Sequence, residues 1–109
     1  MVDEESKGQI LEIAEKIKSE YKPDKIILFG SYAYGNPDKD SDIDFLIIKD
    51  TQDRPIDRRV LVSVIASNPK RIIPFEPIVL TPKEVEERLK IGDQFLREII
   101  QKGQVIYER

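Results

Sequence analysis

Two short runs of apolar residues, KIILF at 25–29 and IDFLII at 43–48, constrain the fold of this chain most strongly. Both runs are rich in β-branched residues and are too short for a helix with one buried face, so each is typical of a buried strand. A polar loop rich in Gly, Asn, Pro and Asp joins them. We therefore predict a small sheet that contains both strands, with helices packed on it.

Segments with helical periodicity alternate with these strands. From about residue 4 to 21, apolar residues recur at helical spacing, and Pro23 ends the segment. A second helix begins near Pro55 and ends before Pro69. We expect its apolar stripe to consist of Val60, Leu61, Val64 and Ile65.

The C-terminal part of the chain continues this alternation. IIPFEPIVL at 72–80 predicts a strand whose two prolines favour an irregular first half or a place at the sheet edge. TPKE at 81–84 is a capping box that begins a helix. Asp93 is the expected cap of a last helix, and QVIYE at 104–108 predicts a closing strand. With a short helix after Gly30, the order is αβαβαβααβ, which predicts an α/β or α+β domain.

Length and charge limit the possible classes of protein. The 109 residues predict one domain over residues 1–109. The net charge of −3 argues against the broad basic surface with which non-specific binders neutralise nucleic-acid phosphates. The acidic N-terminus lacks a signal-peptide pattern, and no apolar run reaches the roughly 20 residues of a membrane-spanning helix. We expect a soluble cytoplasmic protein with neither a membrane nor a broad nucleic-acid partner.

The absence of cysteine and histidine narrows the chemistry further. It excludes thiol nucleophiles, catalytic triads that depend on an imidazole, and thiolate metal sites. Any metal ion must be bound by oxygen ligands, which favours Mg²⁺, Mn²⁺ or Ca²⁺ over Zn²⁺.

The loop between the first two strands, within GSYAYGNPDKDSDID at 30–44, carries the candidate functional residues. Asp42 and Asp44 lie two positions apart at the start of a strand, so both side chains are on one face, with Cα atoms about 6.6 Å apart. Two such carboxylates can converge on one cation or on a pair of cations. Gly30 permits a tight turn and a close approach to a ligand, and Ser31 offers a hydroxyl group. Taken separately, each pair also fits an ordinary solvated turn.

Together these residues form the pattern G-S-x10-D-x-D, which resembles the signature of the DNA-polymerase-β-like nucleotidyltransferases. The flanking ILFGSYAYGNPDKDSDIDFLI is similar to the minimal nucleotidyltransferases, a small prokaryotic branch of that superfamily. The resemblance implies a small mixed β-sheet flanked by helices. It also implies that Gly30 and Ser31 contact the nucleotide, while Asp42 and Asp44 bind Mg²⁺, with two ions expected.

The resemblance implies a third catalytic carboxylate, and Glu76 stands at the matching position, where the family more often has Asp. In this role Glu76 would bind the first metal ion and accept a proton; the alternative is an ordinary charged residue on an exposed strand edge. Tyr34 is another departure, because relatives often carry Arg there. A cation for the phosphates would then come from elsewhere, and Lys39, Lys49 and Arg71 are available.

The implied reaction is attack of an acceptor hydroxyl on the α-phosphate of a nucleoside triphosphate, with release of pyrophosphate. Minimal nucleotidyltransferases are commonly paired with a HEPN-domain toxin, and the resemblance implies an antitoxin that transfers AMP from ATP to a tyrosine of that partner. Two alternatives stay open. One is a module that inhibits its partner by contact alone, and the other is a nucleotidyltransferase for small molecules of the aminoglycoside type.

Overall fold

The structure, a computed structural model, describes residues 3–109 and contains the predicted order of elements. The helices are α1 Glu4–Glu20, α2 Ser31–Tyr34, α3 Pro55–Ala66, α4 Pro82–Lys90 and α5 Gln94–Lys102. The strands are β1 Lys25–Phe29, β2 Ile43–Ile48, β3 Phe75–Leu80 and β4 Gln104–Glu108.

The four strands form one sheet in the order β3-β2-β1-β4. The central strand β1 is antiparallel to β2 and to β4, whereas β2 and β3 are parallel and are joined through α3. The predicted α+β fold with a small mixed sheet flanked by helices is therefore confirmed.

Each face of the sheet is covered by different helices, because side chains alternate along a strand. On one face, Phe45 and Ile47 pack with residues of α1 and α3. On the other, Leu46 packs with Leu96 and Ile99 of α5, and α4 adds partly buried residues. The sheet thus has an α1–α3 face and an α4–α5 face.

Local signals in the sequence set the ends of several helices. Asp3 caps α1 by accepting a hydrogen bond of 2.7 Å from the backbone N–H of Ser6. The capping box predicted at the start of α4 is present, with Thr81 and Glu84 each bound to the other's backbone N–H. In the part of the chain that the structure describes, no helix has the length and apolar character needed to cross a membrane.

The third strand is shorter than predicted, because it begins at Phe75 and not at residue 72. Residues 72–74 are irregular, as Pro74 favours, but the carbonyl of Pro74 still accepts a hydrogen bond of 2.8 Å from the N–H of Ile43. Pro77 lies within β3 itself. A proline is tolerated there because β3 is an edge strand.

The predicted apolar stripe of α3 is wrong for three of its four residues. Val60, Leu61 and Val64 are exposed, with 66% of the Val64 surface accessible. The buried face consists of Arg58, Val62 and Ala66, which follow one another at intervals of four residues. Because α3 carries apolar side chains around most of its circumference, periodicity alone does not identify the inward face.

Candidate active site

The turn between β1 and α2 brings the backbone close to an acidic side chain of β2. Gly30 has φ 76° and ψ −161°, a conformation essentially restricted to glycine. A β-carbon at this position would collide with Oδ2 of Asp44. The Gly-Ser sequence therefore ends β1 with a turn against which the Asp44 carboxylate lies, and Ser31 is the first residue of α2.

The loop from 35 to 42 is braced by its own side chains before it enters β2. Oδ1 of Asp38 accepts hydrogen bonds from the Asp40 N–H at 2.8 Å and from the Ser41 hydroxyl at 3.3 Å. The hydroxyl oxygen of Ser41 in turn accepts from the Asp38 N–H at 2.9 Å. These contacts hold Asp38, Asp40 and Ser41 together. Asp42 follows them and lies directly before the first residue of β2.

The sheet register places Asp44 beside Glu76. The two residues are paired on the parallel strands β2 and β3, two positions before the pair Leu46 and Ile78, which belongs to the α4–α5 face. Alternation therefore puts both carboxylates on that face, beyond the part that the helices cover. Asp42 lies directly before β2, near enough for its charge to act on Asp44, so the three predicted carboxylates lie near one end of the sheet.

An aromatic pair borders this end of the sheet. Phe29 is paired with Asp44 across β1 and β2 and is buried. Its ring meets that of Phe95 edge to face, with centroids 5.8 Å apart, and Phe95 is more than half exposed. The wall beside Asp44 is consequently apolar.

Electrostatics single out Asp44. Burial, together with the negative charges of Asp42 and Glu76, raises the pKa of its carboxyl group from about 3.8 to about 6. No hydrogen bond or ion pair reaches the side chain of Asp42 or Asp44 from the residues between 3 and 109. Asp44 is thus a partly buried acid with like charges as neighbours and no cation beside it, which costs free energy in the ionised form.

Glu76 has a partner that the two aspartates lack. Its Oε2 accepts a hydrogen bond of 2.8 Å from Nη2 of Arg59, which projects from α3. Within residues 3–109, no three acidic side chains are gathered closely enough to hold one ion as they stand. The three carboxylates share one end of the sheet, but Glu76 is drawn toward α3.

Comparison with known proteins identifies the family. The sequence model of the nucleotidyltransferase domain matches residues 10–107. The chain belongs to this family. The predicted nucleotidyltransferase activity is therefore confirmed, and a nucleoside triphosphate is the substrate that such an enzyme requires.

Two relatives of this nucleotidyltransferase come from Methanocaldococcus jannaschii. "Putative protein adenylyltransferase MJ0604" is 33% identical over 102 residues, which cover 90% of this chain and 94% of the relative. "Putative protein adenylyltransferase MJ1305" is 35% identical over 114 residues, which cover 99% of this chain and 76% of the relative. These similarities confirm the resemblance to the minimal nucleotidyltransferases.

The donor atoms of the candidate site are of a type that suits a divalent cation. Asp42, Asp44 and Glu76 offer only carboxylate oxygens, which suit Mg²⁺ or Mn²⁺. A cation would also offset the burial of Asp44 and the negative charges of Asp42 and Glu76, which together raise the pKa of its carboxyl group. The close fit of Gly30 against Asp44 leaves the approach to that carboxylate free of any side chain at position 30.

Arg59 is a basic residue at the candidate site that the sequence did not predict. Of the cations named from the sequence, Lys49 donates to the carbonyl of Lys22, and Arg71 donates to the carbonyls of Ala66 and Ile73. Both side chains therefore bind backbone carbonyl groups away from the three carboxylates. Arg59 contacts Glu76 across 17 residues of sequence, and no motif or spacing signals such a contact.

Proposed function

We propose that this nucleotidyltransferase transfers AMP from ATP to a hydroxyl group of a partner protein. The observation that carries the proposal is the register of Asp44 with Glu76 beside the Gly30 turn, which places carboxylates and a glycine-lined approach at one end of the sheet. The choice of AMP and of a protein acceptor is supported by the names of the two relatives.

Each residue of the site has a distinct proposed role. Gly30 and Ser31 contact the triphosphate, because the turn presents backbone and a small hydroxyl side chain without steric hindrance. Asp42, Asp44 and Glu76 bind Mg²⁺, for which two ions are proposed. Bound Mg²⁺ would supply Lewis acidity to the attacking hydroxyl and neutralise charge on the triphosphate.

The proposed reaction is an in-line displacement at phosphorus. The acceptor oxygen forms a bond to the α-phosphorus of ATP, and the bond from that phosphorus to the bridging oxygen of the β-phosphate breaks. Pyrophosphate leaves with the bonding electrons. The hydroxyl proton passes to Glu76, so the reaction needs neither a histidine nor any further reactant.

A protein acceptor is also supported by the surface of α3. Ile56, Val60 and Val64 are exposed and follow one another at intervals of four residues along the helix. An apolar stripe of this kind is typical of a surface that binds another protein. Arg59 belongs to the same helix and contacts Glu76, so the stripe adjoins the proposed site.

For the identity of the acceptor, we propose a tyrosine of a HEPN-family toxin, so that the enzyme acts as a cytoplasmic antitoxin. This step is supported by the resemblance of the motif at 30–44 to the minimal nucleotidyltransferases.

The test is transfer of label from α-labelled ATP into proteins of the source cell's lysate, with Mg²⁺ present. We expect one labelled protein band with the wild type and none with Asp42→Asn/Asp44→Asn. Mass spectrometry of the band would show one adenylyl group on a tyrosine. Absence of labelled protein, with ATP binding intact, would favour inhibition by contact alone, whereas labelling of a small molecule would favour the aminoglycoside type.

A further inference from the structure

The ion pair between Arg59 and Glu76 joins α3 to the proposed active site. Nη2 of Arg59 and Oε2 of Glu76 are 2.8 Å apart, and the two side chains are 57% and 49% exposed. The residues belong to different elements, so the contact depends on how α3 packs on the sheet and not on a local turn.

Glu76 has a second position available to it. It stands in register with Asp44 on the adjacent strand and on the same face, so its carboxylate can also turn toward the aspartates. While Glu76 is paired with Arg59, the described residues contain no group of three acids that could hold one ion. The same carboxylate thus has two competing partners, the guanidinium and a cation at the aspartates.

The two partners differ in electrostatic strength. An exposed ion pair is weak because water and salt screen it. A divalent cation at Asp42 and Asp44 would attract the Glu76 carboxylate and repel the Arg59 guanidinium. We therefore expect the Glu76 carboxylate to leave Arg59 when the cation binds. The ion pair lowers the affinity for the cation but does not prevent binding.

The neighbouring Arg58 differs from Arg59 in how its guanidinium is held. Arg58 is buried and donates to the carbonyls of Asp53 and Val79 and to Oε1 of Glu84. Its guanidinium is fixed by three acceptors, whereas Arg59 has the Glu76 contact at its exposed end. The two adjacent arginines of one helix thus differ: three acceptors fix the guanidinium of Arg58, and one exposed contact holds that of Arg59.

We infer that Arg59 is a positioning residue that holds Glu76 away from Asp44 until a divalent cation displaces it. Arg59 thereby sets the cation concentration at which the three carboxylates act together. This inference rests on the proposed function, because it takes Glu76 to be the third carboxylate of that site.

The test measures Mn²⁺ binding to the nucleotide-free protein from the electron paramagnetic resonance signal of the free ion. We expect Arg59→Gln to lower the apparent dissociation constant about two- to fivefold, the range that an exposed ion pair supplies. Arg59→Lys, which keeps a charge, should restore part of the wild-type value. Arg54→Gln is the matched control, because Arg54 is also exposed, at the N-cap of α3, but pairs with Asp57.

A second variant, Glu76→Gln, distinguishes exchange of the Glu76 carboxylate from simple repulsion between Arg59 and the cation. With Glu76→Gln, the substitution Arg59→Gln should change Mn²⁺ affinity much less than it does with Glu76 present. An equal effect in both backgrounds would overturn the positioning role, since only the loss of a positive charge would then matter. An effect of Arg54→Gln as large as that of Arg59→Gln would overturn it as well.

Failure of the proposed function would give a different result. Mn²⁺ binding that persists unchanged in Asp42→Asn/Asp44→Asn would mean that the aspartates do not hold the ion, which contradicts the proposed site itself. If binding is lost in that variant but Arg59→Gln behaves like wild type, the site stands and the role of Arg59 is overturned.

Discussion

Oδ2 of Asp44 occupies the space that a β-carbon at position 30 would need. The contact connects the end of β1 with the start of β2, and the backbone of Gly30 has a conformation that other residues rarely adopt. Glycine at this position is therefore required twice, once by its own torsion angles and once by the neighbouring carboxylate.

Substitution of Gly30 by alanine is expected to lower the free energy of unfolding by about 1–3 kcal/mol and to abolish activity. The β-carbon of alanine would displace Asp44 and fill the approach to its carboxylate. Thermal unfolding and the labelling assay measure the two effects. Gly8→Ala is the control, because Gly8 lies in α1 with open space around it and alanine favours a helix by about 0.5–1 kcal/mol. Equal effects of the two substitutions would contradict the role of the Asp44 contact.

Asp44→Asn is expected to stabilise the metal-free protein at pH 7.5 by about 1–2 kcal/mol while it abolishes transfer. The pKa of Asp44 is raised to about 6, so the folded protein binds a proton more tightly than the unfolded chain does. The contribution of Asp44 to the stability of the wild type must then fall as the pH rises from about 4 to about 6. The full difference in pKa corresponds to about 3 kcal/mol, and partial access of water reduces it.

The measurement is chemical denaturation in a metal chelator at several pH values. The gain from Asp44→Asn should disappear below about pH 4, where the wild-type carboxyl group is protonated in both states. A gain that does not depend on pH would show that burial and charge at Asp44 have been misjudged.

Substitutions of Arg58 and of Arg59 should differ in their effect on stability. Arg58→Met leaves the carbonyls of Asp53 and Val79 and the carboxylate of Glu84 without a buried donor, so we expect a loss of about 2–4 kcal/mol. Arg59→Gln, at an exposed position, should change stability by less than about 0.5 kcal/mol. Denaturation midpoints of the two variants provide the comparison. Similar losses would contradict the distinction between them.

The inward face of α3 can be checked with two valines of the same helix. Val62 is fully buried, so Val62→Ala should cost about 1.5–3 kcal/mol through lost burial and the cavity that is left. Val64 is largely exposed, and Val64→Ala should change the free energy of unfolding by less than about 0.5 kcal/mol. The reverse order would mean that the periodicity of the sequence had indicated the correct face after all.

Local signals explain why much of the architecture was predictable. The strands β1 and β2 are short apolar runs, and the start of α4 is marked by Thr81 and Glu84 within one turn. Gly30, Ser31, Asp42 and Asp44 lie at fixed spacing in one segment of the sequence, 30–44. The structure brings Glu76 into register with Asp44, as counting along the chain suggested, while the catalytic roles of all five residues stay predictions.

Contacts that depend on tertiary packing were not predictable in the same way. The inward face of α3 includes Arg58 beside Val62 and Ala66, and a buried arginine runs against the apolar pattern. The Arg59–Glu76 pair depends on that same rotation of the helix, since Arg59 lies one position further around it. The sequence contains both residues but no signal that joins them.

We propose above that the three carboxylates promote transfer of a nucleotidyl group. The most direct measurement compares α-labelled and γ-labelled ATP in the same reaction with the acceptor protein and Mg²⁺, using wild type and Asp44→Asn. We expect that with wild type only the α-label enters the protein and pyrophosphate is released in equal amount. With Asp44→Asn we expect neither labelling nor release of pyrophosphate. Incorporation of the γ-label, or undiminished transfer by Asp44→Asn, would contradict it.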